Sequence, residues 1–424
     1  MRCAQPLLRR KLARRALAEP GYAQAVPERW GHYTQPAEAS SELVWVHAVS
    51  LGETRTAGIL LREWRAQVPG LRVLLTHGTA TGREQGLTLL QPGDVQVWQP
   101  WDSRAAVDRF LTHFKPRLGV LLETEVWPNL MAAAQARGLP VALVNARMSP
   151  KSLASALRLA WLARPAYGAL AAVYPQTEAD GRRLAQLGAP VAGVLGNLKF
   201  DARPDDFQQT LARNWRTRLE QPVLMLASSR EGEEIEFLRQ WQALKLEAQP
   251  ATALKRVLIV PRHPQRFDEV AQLVQAQGLT VSRRSLWAGP PADDPAAMQA
   301  DVWLGDSLGE MALYYTLSDI ALLGGSFQAL GGQNLIEPAA SACPVVMGPH
   351  TFNFAEAALA AESAGAAFRV KDMQAGLARA LALFNEPAAL EQAKSAALAF
   401  GASHGGAAER TVQALNQLAA EPRA

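Results

Sequence analysis

Two tandem α/β domains of Rossmann type are the fold class this chain predicts, on three observations. It has 424 residues, 49% hydrophobic and only 19% charged, too long for one ordinary core and too apolar for disorder. From residue 43, short apolar β-rich runs alternate with longer helix-like segments, the pattern of a parallel sheet covered on both faces. The alternation breaks at "GNLKFDARPDD", 196–206, where Gly, Pro and charge read as an interdomain linker, and then restarts.

Taken in order, the apolar runs of the first domain are LVWVHAV (43–49), RVLLTHG (72–78), VQVW (95–98), LGVLLETE (118–125), VALVNAR (141–147) and AAVYPQ (171–176), each leading into a helical stretch. The second domain repeats this with PVLMLASS (222–229), RVLIVPRHP (256–264), VWLGDS (302–307), DIALLGGS (319–326) and CPVVMGP (343–349). The segment 283–300, "RRSLWAGPPADDPAAMQA", reads as a surface loop. The expected division is a basic N-terminal segment over 1–20, a first domain over 21–195, the linker over 196–206, a second domain over 207–384, and C-terminal helices over 385–424.

Composition excludes several classes. The two cysteines, Cys3 and Cys343, stand far apart without metal-ligand or disulfide-framework spacing, as suits a reducing cytoplasm. No run approaches the roughly 18 apolar residues of a membrane span, and no signal-peptide apolar core opens the chain, so a soluble or peripheral protein is expected. The formal charge is a mild +4, yet Arg2, Arg9, Arg10, Lys11, Arg14 and Arg15 all precede the first acid, Glu19. A helix lying on anionic headgroups and a solvated surface helix explain that segment equally well. Nucleic acid is not an expected partner, because no reading module occurs and aromatics are not interleaved with the basic residues.

Ligands of doubly wound sheets bind beyond the carboxyl ends of the strands. The residues found there are Glu53, Thr79, Glu125, Arg147, Ser228, Arg262, His263, Gly309, Glu310, Ser326, Asn334 and Glu337. Singly, each has an ordinary role: Glu53 and Glu310 as first-turn acids, Ser326 and Asn334 as caps. Together, at successive strand ends of two matched domains, they favour a site. The Gly-rich "LLGGSFQALGGQNLIEPAA" offers backbone donors to a phosphate but matches neither the dinucleotide nor the P-loop fingerprint. No D-x-D triad and no His/Asp/Glu cluster at metal spacing occurs, so no metal is expected. In "ETE", 123–125, only one acid faces the site from regular strand, unless the segment has already become loop.

The words EPGYAQAVPERWG, HAVSLGET, THGTATGRE, LLETEVWPNL, NARMS, QTEAD, GNLKFD, ASSREGEE, VPRHPQRF, GDSLGEM, GGSFQALGGQNLIEPAA and GPHTFNF, in this order over about residues 19 to 370, resemble the 3-deoxy-D-manno-octulosonate (Kdo) transferases of Gram-negative bacteria. The resemblance implies a GT-B fold, with an acceptor domain, a donor domain and a cleft between them. It implies inverting transfer of Kdo from CMP-Kdo to the lipid A precursor (lipid IVA), without metal or other cofactor, at the cytoplasmic face of the inner membrane. Glu53 would be the base, its pKa lowered by the helix N-terminus, and Glu125 the second required acid. Donor-side candidates are Ser228, Arg262, His263, Pro264, Gly309, Glu310, Met311, Ser326, Asn334 and Glu337; acceptor-side candidates are Gly52, Arg55, Thr79 and Arg147. The partners implied are CMP-Kdo, the lipid acceptor and the anionic membrane surface. Two departures stand out. Gln333 replaces the usual His before the Asn. Many relatives also begin with an apolar anchor, so either an anchor precedes Met1 or attachment rests on the basic helix. The rival reading is a GT-B glycosyltransferase or 2-epimerase with a uridine-nucleotide donor.

Overall fold

The computed structural model describes residues 5–38, 42–247, 254, 256–403 and 405–420; Arg2 and Cys3, singled out above, lie outside them. The chain divides into two compact units, one running to Asp201 and taking in the last helix, the other from Ala202 to Ser403. Among the described residues no helix is long and apolar enough to cross a membrane.

In the first unit α1 (Gln5–Ala18) leads to β1 (Leu43–His47), α2 (Leu51–Gln67), β2 (Arg72–His77), α3 (Ala80–Leu87), β3 (Val95–Trp98), α4 (Arg104–Phe114) and β4 (Leu118–Leu122). There follow α5 (Pro128–Gln135), β5 (Val141–Ala146), α6 (Pro150–Arg158), α7 (Ala160–Gly168), β6 (Ala172–Pro175) and α8 (Glu178–Ala185). The strands pair in parallel in the order β3-β2-β1-β4-β5-β6. Winding therefore reverses between β1 and β4, whose carboxyl ends splay their loops apart there.

Burial on both faces follows from the strand period. Leu43 and Trp45 of β1 point into one core, Val44 and Val46 into the other. Gly119 on β4 is dictated by Trp45, since a Cβ there would stand 2.9 Å from the indole. The Trp45 indole N–H donates to Thr76 Oγ1 at 2.8 Å, and His47 Nδ1 lies 2.9 Å from the same oxygen. His77 Nδ1 lies 2.9 Å from the Ala48 carbonyl oxygen. On α1, Leu12 is buried with Tyr22, Trp30 and Trp98, while Arg10, Lys11, Arg14 and Arg15 are exposed.

The second unit runs α9 (Asp206–Arg216), β7 (Leu224–Ser229), α10 (Glu233–Glu247), β8 (Val257–Pro261), α11 (Phe267–Ala276), β9 (Val281–Arg283), α12 (Pro295–Gln299) and β10 (Val302–Leu304). It continues with α13 (Met311–Leu317), β11 (Ile320–Leu323), α14 (Ile336–Ala340), β12 (Val345–Met347), α15 (Ala355–Ser363), β13 (Ala367–Arg369), α16 (Met373–Asn385) and α17 (Pro387–Ser403). Its parallel order, β13-β12-β11-β7-β8-β10-β9, reverses between β7 and β11. Finally α18 (Ala407–Ala420) packs on the first unit, where Asn416 Oδ1 accepts the Trp64 indole N–H at 2.8 Å.

Two features differ from the sequence reading. The strands β9 and β13 had no apolar run to announce them, because each is three residues long and mostly half-buried. The supposed surface loop at 283–300 is anchored in the core: Trp287 lies between Trp215 and Trp303, with ring centroids 6.2 and 5.2 Å away, and Ala297 on α12 is fully buried. Its proline-rich composition marks short turns around two isolated apolar anchors.

Burial holds both internal histidines neutral, pushing His47 down to about 3 and His77 to about 4. The unfolded chain, with ordinary imidazoles, binds more protons below pH 6.5, so this contribution to stability is present above 6.5 and lost as pH falls towards 4 and 3. Both residues act in the same direction, so acid destabilises the fold across that window. Imidazole NMR of the folded protein is expected to show neither ring titrating between pH 5 and 8.

Candidate active site

The reversal point of the first sheet carries two acidic loops. After β1, Ser50 caps α2 with extended backbone, its Oγ accepting the Glu53 N–H at 3.4 Å. Glu53 reaches back: Oε2 accepts the Val49 N–H at 2.8 Å and Oε1 accepts the Ser50 hydroxyl at 3.1 Å. This is a variant of the reciprocal capping box, and it fixes the carboxyl at the strand end. The loop behind it is packed without slack. Thr79, the cap of α3, donates its hydroxyl to the Val49 carbonyl at 2.9 Å, and a Cβ on Gly82 would stand 2.8 Å from that oxygen.

Glu53 is half-buried, and its pKa is pushed up to about 7, first by loss of solvent and further by the neighbouring Glu123 and Glu125. The Val49 and Ser50 hydrogen bonds oppose the rise without cancelling it. The expectation that the helix N-terminus lowers this pKa is therefore overturned, because desolvation exceeds the stabilisation available at the cap. Gly52 and Arg55, in the same turn, are exposed.

After β4 the chain leaves strand geometry at once, with Glu123 at φ 60°. The "ETE" stretch is thus loop, and its two acids have different surroundings. Glu123 is neutralised, its Oε1 2.8 Å from Lys199 Nζ and its Oε2 3.8 Å from Arg147 Nη1. Glu125 accepts the Trp127 indole N–H at 2.9 Å, and burial raises its pKa. Arg147 is exposed apart from that ion pair. Of the acids in these two loops, Glu53 and Glu125 form no ion pair among the described residues.

In the second unit the reversal point lies between the loops after β7 and β11. Ser228 has φ 53°, and Gly324 approaches it so closely that a Cβ would stand 2.5 Å from the Ser228 carbonyl oxygen. The fully buried Glu233, opening α10, accepts the Gly325 N–H with both oxygens at 2.8 Å and the Arg230 N–H at 3.0 Å. Its neighbour Glu234 accepts the Ser229 hydroxyl at 2.7 Å and pairs with Arg266 at 2.6 Å. Ser326 spends its hydroxyl on the fold, donating to the Leu323 carbonyl and accepting the Gly348 N–H at 2.8 Å.

Arg262, His263 and Pro264 lie exposed after β8. His263 is held below its usual pKa by partial desolvation, then by Arg230, Arg262 and Arg266. Arg266 is neutralised by Glu234 and Glu269, whereas Arg230 and Arg262 form no ion pair among the described residues. Beyond β10, Gly309 (φ 80°) gives its carbonyl to Gln208 at 2.9 Å, Glu310 pairs with Arg284 at 2.8 Å and also accepts the Ser307 hydroxyl, and Met311 opens α13. Asn334 Oδ1 accepts the Ile336 N–H at 3.0 Å at the start of α14, on which Glu337 is exposed. The adjacent strands β8, β7 and β11 thus bring Arg262, His263, Ser228 and Ser326 to one edge. Sequence reasoning passed over Arg230, Glu233, Glu234 and Arg266, although "SSREGEE" sits at a strand end and the same positional rule would have selected it. Among the described residues no group of three or more His, Cys, Asp or Glu is placed to hold a metal ion.

The fold is shared with a UDP-GlcNAc 2-epimerase from Neisseria meningitidis, with TM-score 0.59 and 16% identity over 88% of this chain and all of that one. Two parallel-sheet α/β units, each reversing its winding beside charged loops, place the chain in the GT-B class of folds that glycosyltransferases and epimerases share. Residues 24–202 match the family described as 3-deoxy-D-manno-octulosonic-acid transferase (kdotransferase). The chain is 47% identical over 395 residues to the 3-deoxy-D-manno-octulosonic acid transferase of Bordetella pertussis, covering 92% of this chain and 90% of that protein. It is 33% identical over 356 residues to that of Haemophilus influenzae, covering 83% and 81%. The chain belongs to the Kdo transferase family.

The contact between Gly324 and Ser228 leaves no room for a methyl group, so Gly324→Ala is expected to destabilise the second unit by about 1–3 kcal/mol. Chemical denaturation against wild type measures the loss.

Proposed function

We propose that this chain transfers Kdo from CMP-Kdo to a hydroxyl of the lipid A precursor, with inversion and without a metal ion, at the cytoplasmic face of the inner membrane. The observation that carries the reading is Glu53, a half-buried carboxyl poised at about 7 beside a second uncompensated acid. A general base works best with a pKa near the operating pH, and one so placed is worth roughly two to four orders of magnitude. Glu53 Oε1 is held by a hydroxyl that can turn away, leaving it to take the acceptor's proton. As the acceptor oxygen bonds to the anomeric carbon, the bond to the CMP phosphate breaks and its electron pair leaves with the phosphate. Arg230 and Arg262, cations without an acidic partner among the described residues, meet that charge. Glu125 orients the acceptor sugar. The exposed Arg10, Lys11, Arg14 and Arg15 of α1 support attachment to anionic lipid, at about 1 kcal/mol each.

The test offers CMP-Kdo, generated in situ, and lipid IVA to wild type and to Glu53→Gln in the presence of chelator, with products read by mass spectrometry and anomeric configuration by NMR. Wild type is expected to transfer with inversion, its rate rising with pH to a plateau above about 7 as Glu53 ionises. Glu53→Gln is expected to bind CMP normally and to transfer about 10²–10⁴-fold more slowly. Loss of wild-type transfer on chelation would remove the metal-free step. An unchanged rate and pH profile in the variant would remove Glu53 as base.

A further inference from the structure

The helices α6 and α7 form a hairpin whose outer side the proposed chemistry does not use. Inward, Leu153 and Ala156 of α6 and Ala163, Ala166 and Tyr167 of α7 pack on the core. Outward, Trp161 is 76% exposed, and Leu157, Leu159 and Leu162 stand exposed around it. An isolated exposed leucine needs no explanation, but an indole grouped with three leucines on consecutive turns marks a surface that is covered in use.

The charge carried by the two helices themselves is of one sign. No acid stands between Glu125 and Glu178, while Lys151, Arg158 and Arg164 lie exposed on the two helices and form no ion pair among the described residues. Trp and Leu flanked by basic residues with long apolar stems suit a water–lipid boundary, where the rings and aliphatic groups enter the headgroup layer and the cations remain with phosphate. A hairpin that carries three cations and no acid of its own is poorly matched to a second copy of itself, since two such faces would bring six cations together.

We propose that the α6–α7 hairpin is a membrane-contact surface, laying Leu157, Leu159, Trp161 and Leu162 into the headgroup layer of an anionic bilayer with Lys151, Arg158 and Arg164 on its phosphates. The inference rests on the proposed lipid acceptor for its purpose. Tyr167, on the inner side of α7, feels the charge of Glu125, so the contact surface and one of the two candidate acids share a short stretch of structure. A lipid-borne hydroxyl would then need to rise only a short way from the bilayer.

The experiment measures co-sedimentation of the full chain with vesicles of phosphatidylglycerol and phosphatidylethanolamine, and with phosphatidylcholine alone, for wild type, Leu159→Ser/Trp161→Ser and Arg158→Gln/Arg164→Gln. Thermal melts equal to wild type establish that the exposed substitutions leave the fold intact. With roughly fivefold per basic residue at an anionic surface, the arginine pair is expected to weaken binding to the anionic vesicles about 25-fold and to have little effect on phosphatidylcholine. The apolar pair is expected to weaken binding to both, at least tenfold on the anionic vesicles. Kdo transfer to a de-acylated, water-soluble acceptor is expected to be unchanged in both variants. Vesicle binding equal to wild type in either variant would overturn the proposal. So would a wild-type dimer in sedimentation velocity that becomes monomeric in Leu159→Ser/Trp161→Ser, which would make the face an interface between copies. Absence of transfer by wild type would count against the proposed reaction alone, because the vesicle measurement does not depend on it.

Discussion

A parallel sheet covered by helices on both faces leaves a ligand only the ends of its strands, and the rest of this structure follows from that constraint. In β1 and β4 every residue is buried, so no side chain within them is available for chemistry. Function is displaced into the loops beyond the strand ends, and these are held by close backbone approach. Gly78 and Gly82 crowd Val49 in the first unit, while Gly324 and Gly348 crowd Ser228 and Ser326 in the second. The glycines therefore act by what they omit: a methyl group at any of these four positions would meet an atom at 2.8 Å or less.

Within that frame, four glutamates of the same intrinsic acidity have different roles because their neighbours differ. Glu53 loses solvent near two other acids and is left with a raised pKa. Glu123 has Lys199 and Arg147. Glu233 is buried completely, with backbone N–H groups as its partners, and fixes the Gly-rich loop by both oxygens. Glu234 instead joins a serine and an arginine into the wall beneath it. Electrostatic identity in this protein is assigned by tertiary position, which is why like residues cannot be sorted by type alone.

That also marks what the sequence made legible. Eleven of the strands follow from apolar runs, and the strand-end rule reaches Glu53, Glu125, Arg262 and His263, because both signals are local. The sign of the Glu53 shift was not legible, since it is set by burial in the folded unit and by the charges of Glu123 and Glu125, some seventy residues away. Nor was the commitment of the Ser326 hydroxyl to Gly348 on the next loop. Trp287 was hidden for a related reason: a single aromatic among prolines has no period, and only the two tryptophans that enclose it give it a place.

The return of α18 to the first unit has a consequence for synthesis. Ala407, Val412 and Leu415 are fully buried members of the core that β1 and β4 share with α2, yet they emerge from the ribosome only after the whole of the second unit has been made. At about 5–20 residues per second, translation of residues 202–403 occupies about 10–40 s. Throughout that interval the apolar side of α2, Trp64 included, has no helix to cover it. The core of the first unit is therefore closed only once α18 has been made, so its completion follows synthesis of the second unit rather than the order of its own strands.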